Sequence, residues 1–157
     1  MKPIIHLTLF AVILAPILGC AALANSHYVP MNQSEAYYDY IQPSFAEYQE
    51  ITEKWLNANR SFVTTDYDRE IAMNMPFELS PSHSTDKAIL LVHGLGDSPY
   101  SFSDIGISLR DRGFHVQSLL LPGHGSKPDD LKQANYDDWQ TIVDHYAELL
   151  KQEYAEV

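Results

Sequence analysis

The sequence of 157 residues is poor in cysteine, glycine and positive charge. It has one Cys, seven Gly and ten Lys plus Arg against 21 Asp plus Glu, a formal net charge of −11. A single cysteine excludes an internal disulfide and any Cys-rich zinc site. The shortage of Lys and Arg argues against a nucleic-acid partner, which needs clustered cations facing phosphates. The apolar stretch Leu7 to Leu18, broken only by Thr8 and Pro16, is 12 residues long, short of the roughly 20 residues of a membrane-spanning helix. What is present is an ordinary folding composition, 45% hydrophobic and 11% aromatic, enough for one domain with a core. No internal repeat or low-complexity tract interrupts it.

The N-terminus reads as an address. Lys2 supplies the positive start and Leu7 to Leu18 the apolar stretch of a secretory signal. The run Ile17-Leu18-Gly19-Cys20 places the only cysteine at its end. It resembles the lipobox of bacterial lipoproteins, in which the cysteine thiol is lipidated and becomes the new N-terminus; Leu18 is a mild departure from the usual pattern. A plain signal peptide beside an idle Cys is the alternative. On the lipoprotein reading, residues 1–19 are the signal peptide, 20–43 a tether and N-terminal extension, and 44–157 the folded domain. Loss of residues 1–19 leaves 9 basic against 21 acidic residues, a charge of −12. Such a surface is not drawn to anionic headgroups, so the acyl chains on Cys20 do the anchoring, each buried methylene adding about 0.8 kcal/mol. Ala21 after the cysteine leans the expected location toward the outer membrane.

Asn25 to Pro30 reads as a short tether. Ser34 to Tyr40 is rich in tyrosine, and Pro43 interrupts any helix there. Ser44 with Glu47 three residues on forms a capping-box pattern, and Phe45, Tyr48, Ile51, Thr52, Trp55 and Leu56 recur at helical spacing, predicting a helix over 44–58. From Phe62 to Leu79 the pattern predicts short extended pieces, closed by the loop Ser80 to Ser84. Ala88 to Val92 is a continuous apolar run, as in a parallel strand covered on both faces. Phe102, Ile105 and Leu109 predict one buried face of a helix over 101–112, stopped by Gly113. Val116 to Leu121 is a second strand. Asn135 caps a third helix carrying Trp139, Ile142, Val143, Tyr146, Leu149 and Leu150, ending near Tyr154. Strand, helix, strand, helix implies an α/β domain with a mostly parallel sheet and right-handed crossovers.

Two strand ends carry the chemistry. His93-Gly94-Leu95-Gly96-Asp97-Ser98 follows the first strand, and Pro122-Gly123-His124-Gly125-Ser126 follows the second, both at carboxyl ends, where open α/β sheets bind ligands. Gly94-x-Gly96 lacks the third glycine of a dinucleotide fingerprint, and no Gly-Lys-Ser/Thr phosphate loop follows. His93 and His124 do not have a metal pair's spacing, so neither metal nor cofactor is expected. Together the two segments resemble the α/β-hydrolase superfamily, in the branch of serine aminopeptidases, monoacylglycerol lipases and carboxylesterases. His93-Gly94-Leu95-Gly96 resembles that family's His-Gly loop, Pro122 to Ser126 its Pro-Gly-His-Gly-x-Ser turn, and Asp137-Asp138-Trp139 the opening of its next helix. The resemblance covers about Ala88 to Val157 strongly and the preceding part only vaguely.

The resemblance implies an acyl-transfer site. The backbone N–H of Leu95 is the implied oxyanion donor, His93, Gly94 and Gly96 shape its loop without transferring protons, and Gly123, His124 and Gly125 brace the neighbouring turn. Removing one oxyanion donor costs about 10²–10³ in rate. A serine hydrolase also needs a Gly-x-Ser-x-Gly nucleophile, then an acid and a histidine, and no Gly-x-Ser-x-Gly occurs here. In the family that elbow follows the strand after the helix ending near Tyr154. The expectation is therefore an incomplete α/β-hydrolase fold: the N-terminal part of a membrane-anchored serine hydrolase acting on small carboxylic esters or lipids such as lysophospholipids and monoacylglycerols, with peptides as the lesser alternative. It has no triad of its own, and the strand Ala88–Val92 has an open apolar edge. The alternative is a non-catalytic lipoprotein using the same scaffold for binding.

Bacteria expressing the chain and fed labelled palmitate should incorporate the label into it, and Cys20→Ser should abolish incorporation; a labelled serine variant would refute the lipobox reading.

Overall fold

The computed structural model describes residues 31–157. The signal peptide, Cys20 and the Asn25–Pro30 tether expected from the sequence lie outside the described residues. Four helices and three strands follow in chain order: α1 (Phe45–Asn59), α2 (Tyr67–Ala72), β1 (Phe77–Leu79), β2 (Ala88–Val92), α3 (Ser103–Asp111), β3 (His115–Leu119) and α4 (Tyr136–Glu153). The sheet order is β1-β3-β2, with β3 antiparallel to β1 and parallel to β2. The architecture is mixed α/β.

Strand alternation sorts the layers. Phe77 and Leu79 point to one face, where both lie within 3.3 Å of the Cβ position of Gly106 in α3. Glu78 points to the other face with its partner Gln117, whose amide donates to the Glu78 carboxylate at 2.7 Å. On that second face His115 stacks on Tyr154, the C-cap of α4, with ring centroids 4.7 Å apart. Helices thus cover both faces, and β3, flanked by strands on both sides, is buried along its whole length. β2 departs from the expectation of burial on both faces: only Ala88 is buried, Ile89 to Leu91 are half-buried and Val92 is exposed. Beyond β2, away from β3, the described pairing is a single parallel bridge between Lys87 and Glu156, through Ala88 N–H to Glu156 O at 2.8 Å and Glu156 N–H to Asp86 O at 3.0 Å.

The segment 31–43 and α1 build most of the aromatic core. Tyr38 stacks on Trp55 at 4.5 Å, and Tyr48 lies 4.8 Å from Tyr146 of α4, both fully buried. The buried hydroxyls of Tyr48 and Tyr146 are both paired, as an unpaired one costs free energy in an apolar interior. Tyr48 Oη donates to Leu120 O at 2.8 Å and accepts from Leu120 N–H at 3.0 Å, satisfying both backbone groups of the residue just past β3. Tyr146 Oη donates to Tyr40 O at 2.8 Å and accepts from Gln42 N–H at 3.2 Å. Burial of the Tyr38 ring pushes its hydroxyl up to about 12.

Helix ends follow the sequence closely, with two differences. Ser44 caps α1 by accepting from Glu47 N–H at 3.2 Å, but its hydroxyl also donates to the Glu47 carboxylate at 2.8 Å, so Glu47 takes the cap's side chain rather than its backbone N–H. Asn135 and Asp138 make the full reciprocal box that starts α4. The stretch Phe62–Leu79, expected to be extended, contains α2, because Asp66 caps it through Arg69 N–H at 3.3 Å; only Phe77–Leu79 pairs as a strand. In α3, Ile105 is exposed rather than buried and Gly106 faces the sheet in its place. The Cβ of a larger residue there would meet the Phe77 ring at 3.0 Å, so the helix approaches through its glycine and turns Ile105 outward.

Tyr48→Phe should lower stability by about 1–3 kcal/mol, the cost of leaving the buried Leu120 backbone groups without their partner, read as a lower urea midpoint with the slope unchanged; a wild-type midpoint would show that the hydroxyl contributes nothing.

Candidate functional site

The site begins where β2 and β3, adjacent and parallel, release the chain at the same end of the sheet. His93 leaves β2 and turns inward, 3% exposed. Its Nε2 accepts the backbone N–H of Leu121 at 3.1 Å, so its Nδ1 carries the proton and faces Gly94 O at 2.9 Å. His124, in the loop after β3 and 5% exposed, mirrors it: its Nε2 accepts Gly96 N–H at 3.2 Å, and its Nδ1–H faces Pro122 O at 3.3 Å. The two rings meet edge to face, centroids 4.8 Å apart. Each loop therefore lends a histidine to a backbone N–H of the other. Both rings must be neutral, since a protonated Nε2 would confront an N–H with a second donor. Burial, the largest influence on each, lowers both pKa values below the ordinary histidine range.

The first loop is a turn closed by Asp97 N–H to Gly94 O at 3.2 Å, with Gly96 at φ +75°, a left-handed conformation that favours glycine. Leu95 stands at its tip, 73% exposed, and its backbone N–H has no acceptor among the described residues. Gly94 has open space around it, with nothing within 4 Å of a Cβ. In the second loop Gly123 combines φ +83° with only 2.9 Å between its Cβ position and Ala134, so no side chain fits. Trp139 of α4 donates its indole N–H to Pro122 O at 3.0 Å. Ser126 donates to the Asp130 carboxylate.

Several residues that hold these loops escape sequence reasoning. Arg60, the C-cap of α1, donates to Gly125 O and clamps Glu70 through Nε at 3.0 Å and Nη2 at 2.9 Å. Glu70 also accepts from Val63 N–H at 3.0 Å and from Thr64 N–H; Thr64 first, then Arg60 and Val63, hold its carboxyl down at about 2. Ser61 N–H reaches Ser126 O at 3.0 Å, and Ser98 Oγ reaches Met73 O at 2.9 Å. No motif marks Arg60, whose bond to Gly125 O spans 65 residues, or Glu70, whose partners lie within ten residues but at no repeating spacing. No group of three His, Cys, Asp or Glu among the described residues is placed to hold a metal, and no described helix is long and apolar enough to cross a membrane.

No protein-family model matches the chain. It is 30% identical over 73 residues to the "Carboxylesterase" of Bacillus subtilis (strain 168), which spans 46% of this chain and 30% of that protein. Over 64 residues it is 31% identical to the "Thermostable monoacylglycerol lipase" of Bacillus sp. (strain H-257), 41% of this chain and 26% of that one. A solved structure from work on LipS and LipT, two metagenome-derived lipolytic enzymes, aligns over 50% of this chain and 31% of its own with a TM-score of 0.46 and 22% identity. The chain spans less than a third of the length of the curated relatives it matches. Part of it is thus related to the α/β-hydrolases, on the side of esterases and lipases.

Because both histidines are held neutral, the folded chain binds fewer protons than the unfolded one below about pH 6.5, the ordinary histidine value. Their contribution is complete above that pH and falls as the pH drops beneath it. The urea midpoint should therefore decrease between pH 7 and pH 5, and His124→Gln, which can still accept from Gly96 but cannot titrate, should remove part of the decrease; an identical slope in the variant would count against the neutral clasp.

Proposed function

We propose that this chain is the N-terminal part of a membrane-anchored serine hydrolase acting on carboxylic esters, with the backbone N–H of Leu95 as one donor to the oxyanion. The observation that carries this reading is the free amide at position 95, on a turn clasped by two neutral histidines at the carboxyl end of β2. An oxyanion donor must be unspent and preorganised, since its value lies in needing no rearrangement when charge develops. The Gly96 amide, by contrast, is committed to His124. His93 and His124 serve as acceptors that shape the loop, and neither is the catalytic base.

The Lys87–Glu156 bridge supports the same reading. It is parallel to β2, and Val92 lies five residues after Lys87. A strand continuing past Glu156 in this register would reach the level of Val92 five residues later and release the chain beside Leu95, where an attacking serine is needed. A Gly-x-Ser-x-Gly elbow there would supply the nucleophile, with its own following N–H as second donor. In this proposal a lipid on Cys20 holds the enzyme at a bacterial membrane, leaning to the outer one, close to lysophospholipid or monoacylglycerol substrates.

The test is the reading frame downstream of Val157 and a fluorophosphonate probe on the full gene product. A Gly-x-Ser-x-Gly within the next strand and turn, and one probe-labelled serine there, are expected. A folded product that takes no label would overturn the proposal in favour of a non-catalytic lipoprotein, and the 157-residue chain alone is expected to stay unlabelled.

A further inference from the structure

A cleft of about 650 Å³ runs beside the two clasped loops, a volume typical of small-molecule sites. It is lined by Gly96–Ser98 and Gly123–Lys127 of the two loops and by residues between Arg60 and Asn74. That second wall belongs to the helical segment preceding the sheet, the part of the chain that the motifs do not cover. Its apolar surface is Val63 and Met73, facing Pro128 and Leu131.

The wall is fastened to both loops. Arg60 donates to Gly125 O, Ser61 N–H to Ser126 O, and Ser98 Oγ to Met73 O. Glu70 gathers the connection between α1 and α2 by accepting from Arg60, Val63 and Thr64. Two of the cations along the cleft are paired, Arg60 with Glu70 and Lys127 Nζ with the Asp130 carboxylate at 3.7 Å. Asp97 is exposed and accepts from Ser98 N–H at 2.8 Å. An anion entering here would lose its water and meet the exposed Asp97 carboxylate without gaining a free counter-ion, whereas a hydrocarbon chain would find apolar side chains and glycines.

We propose that this cleft takes the acyl chain of an uncharged carboxylic ester, and that Val63 and Met73 of the N-terminal segment set the length of chain it accepts. The inference rests on the ester-hydrolase reading and adds to it a specificity wall built by residues 60–74. Leu95 itself does not line the cleft; Gly96, its neighbour, does. In this proposal the chain of an ester whose carbonyl is held at the Leu95 amide enters the cleft past Gly96.

Val63 is 86% exposed, so its replacement leaves the core untouched. In the full gene product, kcat/KM for p-nitrophenyl octanoate relative to acetate should fall about tenfold in Val63→Trp, which fills the cleft, and also in Val63→Asp, which adds an unpaired charge to its wall. Ratios equal to wild type in both variants, with ester hydrolysis intact, would overturn this inference and leave the proposed function standing. A wild-type product that hydrolyses no ester and takes no fluorophosphonate would overturn both.

Discussion

The exchange of hydrogen bonds between His93 and His124 is the constraint on which the candidate site depends. Each imidazole accepts a backbone N–H from the opposite loop across 28 residues of sequence. Two flexible glycine-bearing turns thereby become one object. The arrangement works only while both rings are neutral, and burial keeps them so. It also divides the amides of the first loop: Gly96 N–H is consumed in holding the loop, and Leu95 N–H is left over. On the proposed function, that division leaves one amide for a developing oxyanion and gives the histidines the task of holding the loops rather than carrying protons.

A second set of contacts sets the clasp against the rest of the molecule. Tyr48 takes both polar groups of Leu120, Trp139 holds Pro122 and Arg60 holds Gly125. The loop after β3 is therefore pinned at three points by helices on two sides of it in sequence. Because Arg60 is itself locked to Glu70, the helical segment before the sheet acts as a mould for the second loop and as the far wall of the cleft. Residues 31–43, described from the sequence as part of an extension, contribute Met31, Tyr38 and Tyr40 to the core.

The similarity to a carboxylesterase and a monoacylglycerol lipase covers less than half of this chain and less than a third of theirs. The site itself consists of two loops at the carboxyl ends of adjacent parallel strands, an amide between them with no acceptor among the described residues, and a cleft alongside. The proposed ester chemistry draws on that similarity and on this geometry, and the specificity proposed for Val63 and Met73 rests on that chemistry and on the lining of the cleft.

Local chemistry was legible from the residues themselves. Cap residues Ser44 and Asn135, the apolar run Ala88–Val92 and the stop at Gly113 all act over a few residues, and the structure places their helices and strands where the pattern put them. The two glycine–histidine loops were legible for the same reason, as short signals following strands. What sequence pattern could not decide was anything set by partners distant in the chain. Helix α2, by contrast, forms on a local cap, Asp66 accepting from Arg69 N–H, where extended pieces were expected. Ile105 turns outward because Gly106 allows the closer approach to Phe77. The neutral clasp, the pinning of Leu120 by Tyr48 and the wall beside Gly96 exist only once segments tens of residues apart meet, because hydrogen bonds and packing depend on distance in space and not on spacing in sequence.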